Sequence, residues 1–545
     1  MTKVSVVVPV YNPGRYLQPC VSSLLGQSMP AEDFEVIFVD DGSTDDSPAY
    51  LDAVAAEHAH LRVIHQENSG WPGQPRNVGI AAATGEYLFF CDHDDWFEPE
   101  ALQRLHDFAT ANSSDVVLPK MGGLDRPVPH HVFRQTRPAV TLADSPIMDS
   151  LTPHKLFRRA FLQAHDIRFP EGKRRLEDHL FVVTAYLLAE TISIYADYTC
   201  YIHIARDDAS NAGFRKIDWS GYFDNLSEAL EVVQTHTEAG PLRDRIFRRW
   251  LQVEMVNRLS GRRLLKMNPR EAGQLFRHAS RVAGRYFGPG VVDLVQPLSR
   301  PVAQAIIAGD EGEVHRLARA TARWTVQRRL LQVGWAGPLL QVSGTVRLTD
   351  TAPVADLEGE PPSPYATARD DGPEARFASL FGDLPAETLT EGYRTAKLTL
   401  DLTERSSGAR WPVRAAVHRT GLTASFTADL DPGTLAGGRP LPEGQWDLHV
   451  QFAILGLNQR RRLVLTEERR PGVPLPQPRE DGPPVLTVSF TESAGLTLDV
   501  GSASHPGLRT ARAADPEPEP ETTRSAASIL RRGVRKVART LPNRR

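Results

Sequence analysis

The chain has 545 residues, of which 41% are hydrophobic and 24% are charged, and its formal net charge is −4 at pH 7. This length exceeds what one hydrophobic core usually organises, so we expect several domains. The composition is ordinary for a globular protein, and the small negative charge gives no reason to expect a nucleic acid partner.

Two features of the sequence indicate the cellular compartment of the protein. No apolar run approaches the roughly 20 residues that span a bilayer, and residues 3–8 form a strand-like run without the pattern of a signal peptide. Cys20, Cys91 and Cys200 are odd in number, far apart and without a Cys-x-x-Cys pair. We therefore expect a cytoplasmic protein.

The first 110 residues alternate between short β-rich runs and helical segments, which is typical of a parallel α/β sheet. The predicted strands are residues 4–10, 35–40, 61–66 and 86–91. The predicted helices are residues 16–27, 47–57 and 76–83. Because ligands bind at the carboxyl ends of the strands in such sheets, we expect the functional site there.

The remainder of the chain changes its periodicity twice. Residues 216–335 contain helical stretches at 226–237, 242–259 and 311–333, which predict a helical linker. From residue 336 the period becomes two, at 340–348, 395–402, 413–418 and 446–454. This alternation predicts one or two β-sandwich domains over residues 336–510, with a role in polymer binding or self-association.

The last predicted segment, residues 511–545, is a tail. Its Pro/Glu run at 515–521 is expected to stay unfolded. Residues 524–545 are basic, with apolar residues at helical spacing, so an amphipathic cationic helix could contact anionic lipid or a phosphate-bearing polymer. A solvated terminus is an equal alternative.

Polar residues follow the first two predicted strands. Pro9-Val10-Tyr11-Asn12 ends the first, and Asp40-Asp41-Gly42-Ser43-Thr44-Asp45 ends the second. An aromatic ring and a carboxylate at adjacent strand ends can hold a nucleobase by stacking and by accepting its N–H groups. Taken alone, the acidic segment equally fits a turn with a helix cap.

Carboxylates also follow the fourth predicted strand, in Phe90-Cys91-Asp92-His93-Asp94-Asp95. Hard cations prefer carboxylate oxygens, and a diphosphate substrate needs such a cation to offset charge on its leaving group. If the segment is extended, Asp92 and Asp94 point the same way. Asp92 could then contact the ribose of the sugar donor, and Asp94 could bind the metal. We expect His93, and His179 further along, to make local polar contacts rather than to bind metal.

A glycine- and proline-rich segment lies between these two motifs, at residues 68–77. Its glycines permit close backbone approach, and Arg76 is predicted to begin a helix. A guanidinium and a helix N-terminus both favour phosphate. Without the neighbouring motifs, the alternative interpretation of this segment is an ordinary loop in which Arg76 is solvated.

Together these motifs resemble those of the family 2 glycosyltransferases of the GT-A fold, which have a Rossmann-like mixed sheet. The resemblance continues through Leu151-Thr152-Pro153-His154-Lys155-Leu156-Phe157-Arg158 to Glu177-Asp178-His179-Leu180-Phe181 and covers about the first 215 residues. This longer pattern is similar to that of the poly(ribitol-phosphate) β-N-acetylglucosaminyltransferases that decorate wall teichoic acid. It implies a catalytic domain at residues 1–215.

The resemblance also implies roles for individual residues. Donor-nucleotide contacts are implied for Pro9, Tyr11, Asp41, Asn68 and Arg76. A sugar or ribose contact is implied for Asp92, and Mn²⁺ or Mg²⁺ ligation for Asp94. The implied catalytic residues are Asp178 as general base, its neighbour Glu177, and Arg206 near the diphosphate.

The expected function is inverting transfer of a sugar, with N-acetylglucosamine as the expected group, from UDP to a hydroxyl of a cell-envelope polymer such as teichoic acid. Inversion by single displacement needs one carboxylate to take the acceptor proton. Peripheral contact with the inner face of the membrane and self-association are further expectations. A capsular or lipid-linked glycan acceptor, a nucleotidyltransferase and a non-catalytic carbohydrate-binding scaffold are the alternatives.

Overall fold

The computed structural model describes most of the chain up to residue 501. The described residues are 2–124, 126–206, 217–350, 377, 386–405, 410–436, 440–454, 457–464, 486–490 and 495–501. The predicted tail at 511–545 lies outside them.

The N-terminal region is built on a nine-stranded mixed sheet. In chain order its strands are β1 Val4–Val10, β2 Phe34–Asp40, β3 Leu61–His65, β4 Tyr87–Phe90, β5 Trp96–Phe97, β6 Val116–Leu124, β7 Arg137–Val140, β8 Leu156–Arg158 and β9 Ile192–Ile204. They are ordered β3-β2-β1-β4-β8-β6-β9-β5, with β7 beside β9. Strands β1 to β4 pair in parallel, whereas β8 is antiparallel to both β4 and β6. The predicted Rossmann-like mixed sheet is confirmed.

Six helices accompany this sheet: α1 Leu17–Leu25, α2 Ser47–Glu57, α3 Gly73–Ala82, α4 Ala101–Ala111, α5 Arg159–Ala164 and α6 Glu177–Leu188. Helix α3 begins at Gly73, so the predicted start at Arg76 is wrong by one turn. Two glycines of α3, Gly73 and Gly79, lie in close contact with neighbouring segments. A Cβ on Gly73 would lie 2.4 Å from the Pro170 carbonyl oxygen, and one on Gly79 would lie 2.1 Å from Val7. This close packing fixes α3, and Arg76 with it, against β1.

A helical region follows. Its helices are α7 Trp219–His236, α8 Pro241–Trp250, α9 Gly261–Leu265, α10 Pro269–Tyr286, α11 Pro289–Leu294, α12 Arg300–Ala308 and α13 Glu311–Ala322. A π-helix, Leu251–Val256, continues directly from α8. The helix predicted over 311–333 is wrong beyond Ala322, because residues 324–336 form a strand. No helix of the described residues is long and apolar enough to cross a membrane.

Two antiparallel sheets follow the helices. The first contains β10 Trp324–Ala336, β11 Leu339–Asp350, β14 Ala416–Thr420 and β15 Thr423–Leu430. The second contains β12 Lys397–Glu404, β13 Arg410–Val413, β16 Gly444–Ile454, β17 Leu457–Arg462, β18 Leu486–Phe490 and β19 Leu496–Val500. A helix, α14 Ala386–Arg394, precedes β12. Buried side chains of both sheets form one hydrophobic cluster, as expected where two sheets pack face to face.

Candidate active site

A cavity of about 810 Å³ opens where β1, β2 and β4 end. The start of α6 and the segment before α3 contribute to its wall. All ten residues that the sequence nominates line this cavity: Pro9, Tyr11, Asp41, Asn68, Arg76, Asp92, Asp94, Glu177, Asp178 and Arg206. The fold therefore brings together motifs that are up to about 200 residues apart in the chain.

One side of the cavity is organised by Asp41. Its buried carboxylate accepts hydrogen bonds from Gln66 Nε2 at 2.6 Å and from the Ser69 backbone N–H at 2.9 Å. The Asn68 side-chain amide donates to the Asp41 carbonyl oxygen at 2.8 Å. Tyr11 has 39% of its surface exposed beside this network. A rigid carboxylate and an accessible aromatic ring are the two groups that the nucleobase interpretation requires.

Arg76 joins two carboxylates across the cavity wall. Its side chain is almost fully buried and donates from Nη2 to Asp92 Oδ1 at 2.9 Å and from Nη1 to Glu177 Oε1 at 3.2 Å. The indole N–H of Trp71 donates to the other Glu177 oxygen at 2.8 Å. Trp71, Glu177, Arg76 and Asp92 thus form one continuous chain of charge-assisted hydrogen bonds.

The carboxylates that follow β4 form a turn. The Asp95 N–H donates to the Asp92 carbonyl oxygen at 3.1 Å, so the segment is a turn and the extended backbone on which a shared direction of Asp92 and Asp94 depended is absent here. Asp94 is 6% exposed and Asp95 is fully buried. Burial, reinforced by the neighbouring Asp92 charge, raises the pKa of both carboxyls.

Asp92 behaves differently from its neighbours. Burial would raise the pKa of this carboxyl as well. Interactions with His154, Arg76 and His203 act in the opposite direction and together hold the Asp92 pKa well below its usual range. Asp92 is therefore ionised in this site at neutral pH.

Two histidines complete a second polar group beneath the turn. Ligand atoms of Asp92, Asp95, His154 and His203 lie within 4.8 Å of one another. Among the described residues this is the group that could hold a metal ion, and it does not include Asp94. The sequence motifs nominate neither histidine, because His154 precedes β8 and His203 lies in β9, far from Asp92 in the chain.

Asp178 lies in the first turn of α6, which spans residues 177–188 as its acidic start and apolar run predict. Burial, together with the adjacent Glu177 charge, raises the Asp178 pKa to about 7, although Arg76 acts in the opposite direction. The residue before the helix, Leu176, has φ of 64°, a left-handed conformation that side chains such as leucine rarely adopt. Such backbone strain is concentrated at functional sites.

Arg206 lies near Asp94 at the opposite wall. Its guanidinium is 4.5 Å from the centroid of the Tyr16 ring, and Nη1 lies 3.4 Å from His93 Nε2. His93 Nδ1 in turn lies 3.1 Å from the Pro9 carbonyl oxygen. His93 thus makes local polar contacts, as expected from the sequence.

The helical region also reaches the cavity, which the sequence motifs did not indicate. Tyr222 of α7, Glu254 of the π-helix and Arg258 line its wall. The Tyr222 hydroxyl donates to the Glu254 carboxylate, and Arg258 Nη2 donates to the same oxygen at 2.8 Å. A π-helical turn is the one signal of function here, because such turns are frequent at functional sites.

Comparisons with known proteins agree with this geometry. The family model "Glycosyl transferase family 2" matches residues 5–158, and "Glycosyl transferase TarS linker domain" matches residues 220–318. The poly(ribitol-phosphate) beta-N-acetylglucosaminyltransferase TarP of Staphylococcus aureus is 31% identical over 43% of this chain and 72% of its own length. The chain belongs to glycosyltransferase family 2.

Other similar proteins differ in the share of their own length that the chain covers. A poly(ribitol-phosphate) beta-glucosyltransferase of Bacillus spizizenii is 44% identical over 38% of this chain, and the match spans 33% of that protein. The crystal structure of Staphylococcus aureus TarS residues 1–349 in complex with UDP-GlcNAc is 31% identical, with a TM-score of 0.54, over 59% of this chain and 92% of that one. A longer TarS structure is 22% identical, with a TM-score of 0.54, over 92% of this chain and 86% of that one, which shows the fold alone.

Proposed function

We propose that this family 2 member transfers a sugar from a UDP-sugar to an acceptor hydroxyl with inversion, and that Asp178 is the general base. The observation that carries this proposal is the Asp178 carboxyl, which lines the cavity and has its pKa raised to about 7. A base whose pKa is near the working pH is both substantially ionised and strong enough to accept a proton. Asp178 meets both requirements.

The proposed step is a single displacement. The acceptor oxygen bonds to the anomeric carbon as the bond from that carbon to the diphosphate oxygen breaks. The acceptor proton passes to Asp178, and UDP leaves with the bonding electron pair. Glu177 supports the base by keeping its pKa high, and Arg206 is proposed to contact the diphosphate.

The nucleotide is proposed to lie along Pro9, Tyr11, Asp41 and Asn68, with its diphosphate towards Arg76. Asp92 is the proposed sugar or ribose contact. The UDP-GlcNAc complex of TarS supports a UDP-sugar donor, with N-acetylglucosamine as the proposed sugar. In this structure Arg76 donates hydrogen bonds to Glu177 and Asp92. A phosphate bound by Arg76 would therefore share the guanidinium with these two carboxylates.

A divalent cation, Mn²⁺ or Mg²⁺, would offset the charge that grows on the diphosphate leaving group. Asp94 fits such an ion because its pKa is raised by burial and by the adjacent Asp92 charge. A cation relieves that unfavourable concentration of negative charge. Asp94, which lines the cavity, is the proposed ligand.

The proposed acceptor is a hydroxyl of a cell-envelope polymer such as teichoic acid, supported by the poly(ribitol-phosphate) in the names of TarP and of the Bacillus spizizenii relative. A capsular or lipid-linked glycan is the alternative acceptor. A cytoplasmic location, contact with the inner face of the membrane and self-association stay predictions.

The test is release of UDP from UDP-N-acetylglucosamine and other UDP-sugars, with Mn²⁺ and candidate polymers. We expect turnover by the wild type and a fall of about 10²–10⁴-fold in Asp178→Asn, the range for losing a general base. The UDP-sugar affinity of this variant should stay within about threefold of the wild type. The exposed Asp46→Asn substitution is the control for losing a carboxylate.

Two results would contradict the proposal. Unchanged turnover in Asp178→Asn would remove this residue from the base role. Nucleotide binding without turnover by the wild type, with every donor and acceptor, would instead indicate a non-catalytic carbohydrate-binding protein.

A further inference from the structure

We propose that Asp92, Asp95, His154 and His203 form a site for a transition-metal ion of the Zn²⁺ type, distinct from the cation proposed at Asp94. Their ligand atoms lie within 4.8 Å of one another. Asp92 and His154 line the cavity, which gives an ion a path to the site. This inference goes beyond the proposed glycosyl transfer and does not depend on it.

His154 presents a lone pair to a carboxylate. Its Nδ1 lies 3.2 Å from the Phe90 carbonyl oxygen, which can only accept a hydrogen bond, so Nδ1 carries the proton. In the neutral ring Nε2 is then an acceptor, and it faces Asp92 Oδ2 at 3.5 Å and Asp95 Oδ2 at 3.9 Å. Acceptors that face one another repel, and a cation between them turns that repulsion into attraction.

His203 supplies an independent observation. It is 4% exposed, and its Nε2 has no hydrogen-bond partner among the described residues. This atom lies 3.8 Å from Asp95 Oδ2. A buried polar atom without a hydrogen-bond partner carries a free-energy cost in the folded protein. A metal ion bound between His203 and Asp95 would remove that cost.

Asp95 is already oriented as metal ligands usually are. The Tyr201 hydroxyl donates to Oδ2 at 2.7 Å, and the Ile204 backbone N–H donates to Oδ1 at 2.8 Å. The His154 ring also stacks on Tyr201, with ring centroids 4.7 Å apart. Outer contacts of this kind hold ligands in place and raise metal affinity.

The donor set selects the class of ion. Two imidazole nitrogens and two carboxylate oxygens suit Zn²⁺ and similar ions, whereas Mg²⁺ prefers oxygen ligands in octahedral geometry. Tetrahedral Zn²⁺ with ligands at about 2.0–2.1 Å requires ligand atoms roughly 3.4 Å apart. Three of the six separations in this site are 3.5, 3.8 and 3.9 Å, and all lie within 4.8 Å, so binding requires contractions that range from about 0.1 Å to at most about 1.4 Å.

The test is direct metal binding by the untagged full chain, stripped with a chelator and titrated with Zn²⁺ or with Co²⁺ as a coloured probe. No nucleotide sugar is added, so failure of glycosyl transfer and failure of this site are separate results. We expect one ion per chain and visible absorption typical of four-coordinate Co²⁺. His203→Gln should weaken binding at least about tenfold.

Two controls separate this site from others. Asp94→Asn should leave Zn²⁺ binding unchanged if the two cation sites are distinct. His106→Gln, at a buried histidine that lies near Glu86 at 3.8 Å, should also leave it unchanged. Binding that is absent from the wild type, or that His203→Gln leaves intact, would overturn the proposal.

A measurement on the wild type covers the case in which His203→Gln does not fold. X-ray absorption of the Zn²⁺-loaded protein should show imidazole scattering from two histidine ligands. A spectrum with oxygen ligands alone would overturn the proposal as surely as the absence of binding.

Discussion

The two acidic groups of the cavity, the turn after β4 and the start of α6, contain the same residue type in opposite electrostatic states. Asp92 is buried, but its interactions with His154, Arg76 and His203 hold its pKa well below the usual range. Burial and the neighbouring Glu177 charge raise the Asp178 pKa to about 7, and Arg76 offsets only part of this rise. Burial acts in the same direction on both carboxyls, so the difference between their neighbouring groups decides which one stays ionised and which has a pKa near 7.

Arg76 links the two groups, so removing it should give the largest effect. Arg76→Met leaves Asp92 and Glu177 as buried carboxylates without their shared cation. Breaking a buried ion pair from one side costs about 3–5 kcal/mol, and we expect a loss of this size in the free energy of unfolding. Urea unfolding monitored on the N-terminal region measures it.

Arg62→Met is the matched control for that experiment. Arg62 is exposed and donates one hydrogen bond, to the Ala82 carbonyl oxygen at 3.0 Å. Its loss should change the free energy of unfolding by about 0.5 kcal/mol or less. Equal effects of the two substitutions would show that Arg76 does not hold the acidic groups together.

Trp71 should have the next largest effect, because it fixes Glu177 from the other side. Trp71→Phe removes the indole N–H that lies 2.8 Å from Glu177 Oε2. A hydrogen bond to a charged group contributes about 1.5–3 kcal/mol, so we expect a loss of about 2 kcal/mol in the free energy of unfolding. Combining Trp71→Phe with Glu177→Gln should cost less than the sum of the two. Strict additivity would mean that the indole and the carboxylate do not interact.

The raised pKa of Asp178 predicts the pH dependence of transfer. The base must be ionised, so kcat/KM should fall as the pH drops through about 7. Between pH 8 and pH 6 the ionised fraction decreases by about tenfold, and kcat/KM should decrease with it. Glu177→Gln removes the neighbouring charge and should move this limb to lower pH. A wild-type profile that is flat over this range would contradict the assignment.

Much of the site was predictable because its parts are local motifs. Carboxyl ends of parallel strands meet at one edge of a sheet, which is why residues such as Tyr11, Asp41 and Asp92 could be placed together from the sequence. The acidic pair at Glu177 was placed at a helix start for a similarly local reason. The two histidines were not predictable, since His154 and His203 meet Asp95 only through the order of β8, β6 and β9.

The error over residues 323–333 has a physical cause as well. The register of β10 shifts between Leu330 and Gln332, where the strand bulges. Its buried residues Val326, Leu330 and Val333 are therefore spaced by four and three, which is the spacing of a helical face. A bulge interrupts the period of two that identifies a strand, so the sequence pattern alone favours the wrong element.

The smallest predicted effect is on stability and has the opposite sign to the effect on activity. Because the folded-state pKa of Asp178 is raised, ionisation disfavours the folded protein, and wild-type stability should fall as the pH rises from about 4 to about 7. Asp178→Asn lacks this loss. We expect the variant to have a higher Tm than the wild type at pH 8. The corresponding gain in the free energy of unfolding is on the order of 1 kcal/mol, because the side chain is partly exposed, and it should vanish near pH 4. Asp46→Asn is the control at an exposed site. The contrary result is a variant whose stability relative to the wild type is lower at pH 8 than at pH 4. That result would show that the fold stabilises the ionised Asp178, which is incompatible with a raised pKa.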